Sequence, residues 1–555
     1  TEREKDMNIS FSIKYRADGQ IFTANSSKTE HFDLNIKNEK QQLYVSILPK
    51  TQINIDEFYV KFKYSYKDSD RIFVNGYQSW TDSLEYEPKG KMNELSRLTE
   101  FFTKNTPLKN IGMVKSGDNL FHKFPRNQGE FYGWSYGYVR NGNHIDLYGS
   151  LSERSGFTVV TFDVNNQCVT VGKDLEGVTF SKETQLLSMT VISDEYEKAF
   201  DTYFEQMDVV CRENKRRNGY TTWYNYYGDI TENDVNRDLK SISKLDTRVD
   251  CFQIDDGYQR AIGDWLVTDS KKFPSGMKKI ADDIHSNGMI AGLWLAPFAG
   301  VPSSNLFKEH KDWFIKGKNG KPYNTGHNWG GFYSLDIYNE EARAYIKHVF
   351  DVVLNVWGYD LVKLDFLYGA CVLPIHNKTR GEIMCDAMDL LRECCGDKLI
   401  LGCGVPLMPA FGKVDYCRIG SDIALNWKQR KNITREDVST PHAVCNTIFR
   451  RHLNGRAWMN DPDVFLLRDT NIKTTFEQRK LQSKINSLFG SLLFISDNTD
   501  EYSTNQLKAL YDAFADRDVV IKRAEFTDKN IIETEYTENG VEKMLKFDVQ
   551  NGILY

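Results

Sequence analysis

The chain has 555 residues, too many for one compact core, so two or three domains are expected. Its formal net charge of −6 is small for that length and no basic stripe runs along it, so no nucleic-acid partner is expected; no run of about 18 apolar residues occurs, so neither is a membrane span. Aromatics make up 13% of the residues, many in glycine-rich or polar surroundings, which suits stacking on pyranose rings even though most aromatics fill cores.

Residues 1–205 alternate polar and apolar in short runs such as Phe11–Tyr15, Tyr44–Leu48 and Phe58–Tyr64, separated by turns such as Ala17-Asp-Gly19. That pattern predicts an N-terminal β-sandwich. Within it, Val74-Asn-Gly-Tyr-Gln-Ser-Trp80 follows a strand and is expected to be a loop that reaches another domain. Near 196–215 the pattern turns helical and basic and is then broken by Asn218-Gly219, placing a boundary at about 205.

From 206 to 499 strands and helices alternate. Eight apolar runs start near Tyr220, Cys251, Met289, Leu361, Leu399, Val414, Ala457 and Leu492. Thr231 with Asp234 resembles a capping box. Ala342, Tyr345, Ile346, Val349, Phe350 and Val353 keep helical spacing up to Gly358, and Ile383 to Cys394 do so up to Gly396. Eight strands with helical crossovers in roughly 280 residues predict a (β/α)8 barrel; a doubly wound sheet lacks support, because no G-x-G-x-x-G follows the first strand. Residues 500–555 return to alternation and are expected to form a small C-terminal antiparallel β-domain.

The fourth run, Leu361-Val-Lys-Leu-Asp-Phe-Leu367, puts Leu361, Lys363 and Asp365 on one face and Val362, Leu364 and Phe366 on the other. The second face suits packing against helices. A lysine beside Asp365 favours the ionised carboxylate, and such a carboxylate at a strand end can serve as a nucleophile; capping of the next helix is the equally weighted alternative on this stretch alone. The other strands also end in acids or aromatics: Thr222-Trp-Tyr-Asn225, Asp255-Asp256, Trp294, Gly402-Cys-Gly404, Arg418 to Asp422, and Asn460-Asp-Pro-Asp463. Each alone could be a helix cap. Together on one barrel rim they point to a neutral polyol ligand held by carboxylates, Trp faces, a lysine and an arginine.

None of the ten cysteines forms a C-x-x-C pair and the ten histidines show no ligand spacing. Free thiols in a reducing compartment are the simplest account, so a cytoplasmic location, no metal and no cofactor are expected. No signal peptide is visible after Thr1.

Taken in order, Asn75–Trp80, Thr222–Tyr226, Gln253–Tyr258, Ile262–Val267, Lys363–Leu367, Leu401–Gly404, Arg418–Asp422 and Asn460–Asp463 resemble the retaining α-galactosidases of glycoside hydrolase family 36, closest to the compact bacterial members. The resemblance implies hydrolysis of terminal non-reducing α-linked galactose from oligosaccharides or glycosides by double displacement. It implies Asp365 as nucleophile and Asp422 as acid/base. Asp255, Asp256 and Lys363 would hold sugar hydroxyls, Arg418 would orient the site, Trp294, Tyr224 and Cys403 would line it, and Trp80 would close it from the sandwich. In place of the glycine-rich loop that larger members carry after the fifth strand, this chain has Gly404-Val-Pro-Leu-Met-Pro409, which leaves recognition of O2 open between galactose and N-acetylgalactosamine. Another α-glycoside, transfer to sugars, and a non-catalytic sugar-binding protein are the remaining alternatives, and the oligomeric state is not set. Because a cation in contact disfavours a protonated acid, Arg418 is expected to point away from Asp422.

Overall fold

A computed structural model describes residues 7–92, 115–427 and 434–555. The N-terminal part is two seven-stranded antiparallel sheets. The three runs singled out from sequence lie in strands Ile9–Ala17, Gln42–Pro49 and Ile53–Lys63. Their alternate residues face the core: Ile13, Tyr15 and Ala17 are buried on the first. Strands Arg71–Val74 and Leu84–Tyr86 pair with Val74 opposite Leu84, so residues 75–83 form the loop at their open end. A helix, Tyr196–Gln206, then leads to the barrel.

Eight parallel strands follow: β1 (Arg217–Thr221), β2 (Cys251–Ile254), β3 (Ile290–Leu295), β4 (Leu361–Leu364), β5 (Leu399–Gly402), β6 (Tyr416–Arg418), β7 (Met459–Asp461) and β8 (Leu492–Ile495). Their order is β7-β6-β5-β4-β3-β2-β1-β8. Between β7 and β8 the circle closes through Ser491 N donating to Asn460 O at 2.8 Å. The result is the (β/α)8 barrel expected from the strand count. Alternation on β4 sorts its residues as anticipated: Leu361 joins Cys251, Leu401, Tyr416 and Phe494 in one cluster inside the barrel, while Val362 and Leu364 belong to the larger core shared with the helices. Thr231 and Asp234 do form a reciprocal capping box ahead of helix Glu232–Ile242.

Three expectations need correction. β1 ends at Thr221, and Trp223–Tyr226 is a helical turn that swings the Tyr224 phenol onto Asp463. Phe366 does not continue the helix-facing side of β4, because its backbone turns left-handed (φ 55°) and its ring points to the barrel mouth. Residues 504–514 are a helix rather than strand: Ser503 and Gln506 make a capping box, and Leu507, Leu510 and Phe514 keep helical spacing. The C-terminal sheet is four antiparallel strands within 519–554. No described helix is long and apolar enough to cross a membrane.

Candidate active site

The rim after β2 carries two adjacent carboxylates. Asp255 is buried, and its backbone N–H donates to Thr222 Oγ1 at 2.9 Å, which ties the end of β2 to the end of β1. Its Oδ2 accepts from Lys363 Nζ at 2.7 Å and from Gln253 Nε2 at 3.1 Å. Lys363 therefore pairs with Asp255 across the barrel and not with Asp365, its neighbour on the strand face; the Asp255 carboxylate holds its ammonium well protonated against the penalty of burial. Asp256 takes Gln259 Nε2 at 2.5 Å on Oδ1 and Trp329 Nε1 at 2.9 Å on Oδ2. Burial raises Asp256 above the ordinary carboxylate range, those two donors pull it back, and the charges of Asp255 and Asp365 push it up.

Asp365 follows β4. Its Oδ1 accepts from the Phe366 N–H at 2.8 Å and its Oδ2 from Trp294 Nε1 at 3.1 Å. Burial raises it, Lys363 and the indole of Trp294 work the other way, and the charge on Asp422 raises it further. Asp365 and Asp422 thus feel one another across the rim. Asp422 is the more open of the two, with 38% of its side chain exposed.

The expected orientation of Arg418 is overturned. Its Nη1 lies 2.9 Å from Asp422 Oδ1, its Nε 3.2 Å from Asp461 Oδ2 and its Nη2 2.8 Å from Asp463 Oδ1. The reason is burial: a guanidinium that is almost fully buried must place its donors, and three carboxylates surround it. Asp463 in turn accepts from Tyr224 Oη and from the Ile423 N–H at 2.9 Å. Tyr224 is buried beside the acids rather than displayed as an open face.

Trp80 reaches the barrel from the sandwich. Its Nε1 donates to Cys403 Sγ at 3.4 Å, and its ring meets Phe366 and Tyr368 edge-on at 5.2 and 6.0 Å. A Cβ on Gly404 would come within 2.7 Å of the Trp80 ring, and Gly404 has φ 56°, so only glycine fits that approach. The loop is pinned by contacts the sequence reading missed. Ser79 N donates to Val405 O at 3.0 Å, and Arg450, entirely buried, donates to the carbonyls of Ser79 (2.7 Å), Ile419 (2.8 Å) and Gln78 (3.1 Å) and to Asn75 Oδ1 (3.2 Å). Trp329 was missed too, although Asn328-Trp-Gly-Gly331 is a tryptophan among glycines; the other sequence-named residues, from Asp255 to Asp422, meet at one mouth with Trp294 and Cys403.

Residues 190–377 match the family model described as Melibiase. The similarity to that family covers this segment and not the whole chain. A relative from Flavonifractor plautii named A type blood α-D-galactosamine galactosaminidase is 31% identical over a stretch covering 25% of this chain and 14% of that protein. α-Galactosidase AgaA of Geobacillus stearothermophilus is 26% identical over 43% of this chain and 32% of its own length. These matched stretches span a third or less of the curated relatives. The fold likeness is longer. The solved α-galactosidase TtGalA of Thermus thermophilus, in complex with p-nitrophenyl α-D-galactopyranoside, superposes with a TM-score of 0.70 at 23% identity, covering 96% of this chain and 98% of that one. The glycoside hydrolase family 36 enzyme AgaA superposes at 0.62 and 13%, covering 97% and 79%. The segment that matches the family model thus sits in a fold that nearly the whole chain shares with these solved α-galactosidases.

Proposed function

We propose that the chain is a retaining, exo-acting α-galactosidase. One observation carries the reading: Asp365, held after β4 by Trp294 Nε1 at 3.1 Å, and Asp422, held after β6 by Arg418 Nη1 at 2.9 Å, are two carboxylates on one rim of the barrel, each at its place in the motif order that the resemblance supplies. A retaining glycosidase needs such a pair, one to attack the anomeric carbon and one to manage the proton.

In this reading Asp365, oriented by Trp294 and by its own strand end, attacks the anomeric carbon from the face opposite the aglycone and forms a β-galactosyl ester. Asp422, the more exposed acid, protonates the departing oxygen and then takes a proton from the incoming water. Asp255, Asp256 and Lys363 hold hydroxyls of the sugar. Lys363 has further donors beyond the one used on Asp255, and Asp256 has lone pairs beyond the two already taken. Trp294, Cys403 and Trp80 bound the site. Oligosaccharides with terminal α-galactose are the substrate class; solved relatives are described in complex with stachyose and with raffinose.

An amino-sugar substrate is the second reading, favoured by the similarity to a protein named a galactosaminidase. Turnover of a panel of p-nitrophenyl α-glycosides separates the two: the galactoside is expected to be cleaved with the highest kcat/KM. Faster cleavage of the α-N-acetylgalactosaminide or the α-galactosaminide would replace the proposal.

A further inference from the structure

Between β3 and β4 the chain makes a short hairpin, strands Asn324–Gly326 and Phe332–Ser334, which also pairs with Ala299–Gly300. Its base is fixed by the N-terminal part, where Lys115 Nζ donates to the carbonyl of Asn324 at 2.5 Å and to its Oδ1 at 2.9 Å. Its tip carries Trp329 in a left-handed conformation, φ 54°, followed by Gly330 and Gly331 at 80° and 115°. A bulky residue adopts that region only when its surroundings hold it there. Here they do. The indole ring lies 4.7 Å from Phe366, 5.5 Å from Phe332 and 6.1 Å from Trp294, and its Nε1 reaches Asp256 Oδ2 at 2.9 Å.

Asp256 needs that support. Asp255 and Asp365 place like charge beside it, no ion pair reaches it among the described residues, and Lys363, a cation of the same mouth, is in contact with Asp255 instead. Among the described residues two side-chain donors hold its carboxylate, Gln259 from its own loop and Trp329 from the hairpin. With one oxygen aimed at each donor, the directions of the remaining lone pairs are set, and with them the place where a sugar hydroxyl can donate. We propose that Trp329 is a positioning residue that fixes Asp256 as an acceptor, so that the hairpin takes part in choosing the sugar. This rests on the galactosidase reading for the identity of the sugar but not for the existence of the contact.

Trp329→Phe keeps an aromatic ring and removes the donor. Against p-nitrophenyl α-galactoside, kcat/KM should fall roughly ten- to a hundredfold, the scale of a hydrogen bond to a charged group, with a rise in KM. Run on the 2-, 4- and 6-deoxy analogues, the loss should persist except on the one lacking the hydroxyl that Asp256 receives, where it shrinks several-fold. Gln259→Met, which removes the other donor, should show the same dependence on the same analogue. Equal losses on every analogue, or no loss, would overturn the proposal and leave Trp329 a packing residue. If the wild-type enzyme prefers another α-glycoside, the galactosidase reading fails first, and the same series on that glycoside still decides the role of Trp329.

Discussion

Arg418 Nη1 stands 2.9 Å from Asp422 Oδ1, so the acid assigned to proton transfer rests against a guanidinium. The same guanidinium is shared with Asp461 and Asp463, both fully buried, whereas Asp422 has 38% of its side chain in solvent. Its charge is divided among three carboxylates, of which Asp422 is the most exposed.

If Asp422 supplies the proton, its loss must depend on the leaving group. Asp422→Ala should cut kcat/KM by about 10²- to 10⁴-fold for alkyl or sugar aglycones and far less for acidic phenols, which leave unaided. Measured across a series of aryl galactosides, the dependence of log(kcat/KM) on phenol pKa should steepen. An unchanged slope would remove Asp422 from the acid role.

Arg450 predicts that the sandwich loop is part of the working site and not an appendage. It donates to the carbonyls of Ser79, Gln78 and Ile419, and burial lowers its guanidinium to about 10, still protonated at neutral pH. Arg450→Met leaves the carbonyls of Ser79 and Ile419 without the guanidinium, while that of Gln78 keeps the Thr81 N–H at 3.0 Å; at about 1–3 kcal/mol for each of the two buried orphans the fold should lose on the order of 2–6 kcal/mol in denaturant titrations. With Trp80 no longer seated against Cys403, kcat/KM of the folded fraction should fall as well. Lost stability with intact kinetics would give the loop a structural role only.

Glu436 predicts a pH dependence of stability. Its Oε1 accepts from Thr81 Oγ1 at 2.8 Å, its Oε2 has no partner among the described residues, and Gly117 lies so close that a Cβ there would come within 2.5 Å of the carboxyl group. Burial, with the charge of Asp118 added, pushes it from 4.5 up to about 7. Below about 4.5 both folded and unfolded chains hold the proton. Between there and about 7 only the fold does, so stability should fall as pH rises, by on the order of 3 kcal/mol in all, and level off above. Glu436→Gln should flatten that slope in denaturant titrations from pH 4.5 to 7.5. Parallel curves for the two proteins would contradict the assignment.

What the sequence made legible follows from periodicity. Alternation along Leu361–Leu364 sorted barrel interior from helix face, because extended backbone enforces it, and all eight strand starts lie within three residues of the observed ones. Thr231 and Asp234 were readable as a cap because the motif is local. Contacts made across the fold were not. Alternation assumes continued extension and so misplaced Phe366, whose left-handed turn is held by Trp80 and Trp329 from distant segments. A buried arginine looks like any other in sequence, so Arg450 gave no signal and the contact of Arg418 with Asp422 was misjudged. At 504–514 the alternation of the following strands was extended too far, over a helix whose Ser503 cap was present to be read.

The account depends most on Asp365 as the nucleophile. The direct test is Asp365→Ala assayed on an activated aryl α-galactoside with and without sodium azide, with the product identified by NMR. The variant should fold but turn over at least about 10⁴-fold more slowly than wild type. Azide, entering the space the carboxylate leaves, should restore part of the rate and give β-galactosyl azide. Formation of the α-azide, or full activity without azide, would contradict the assignment.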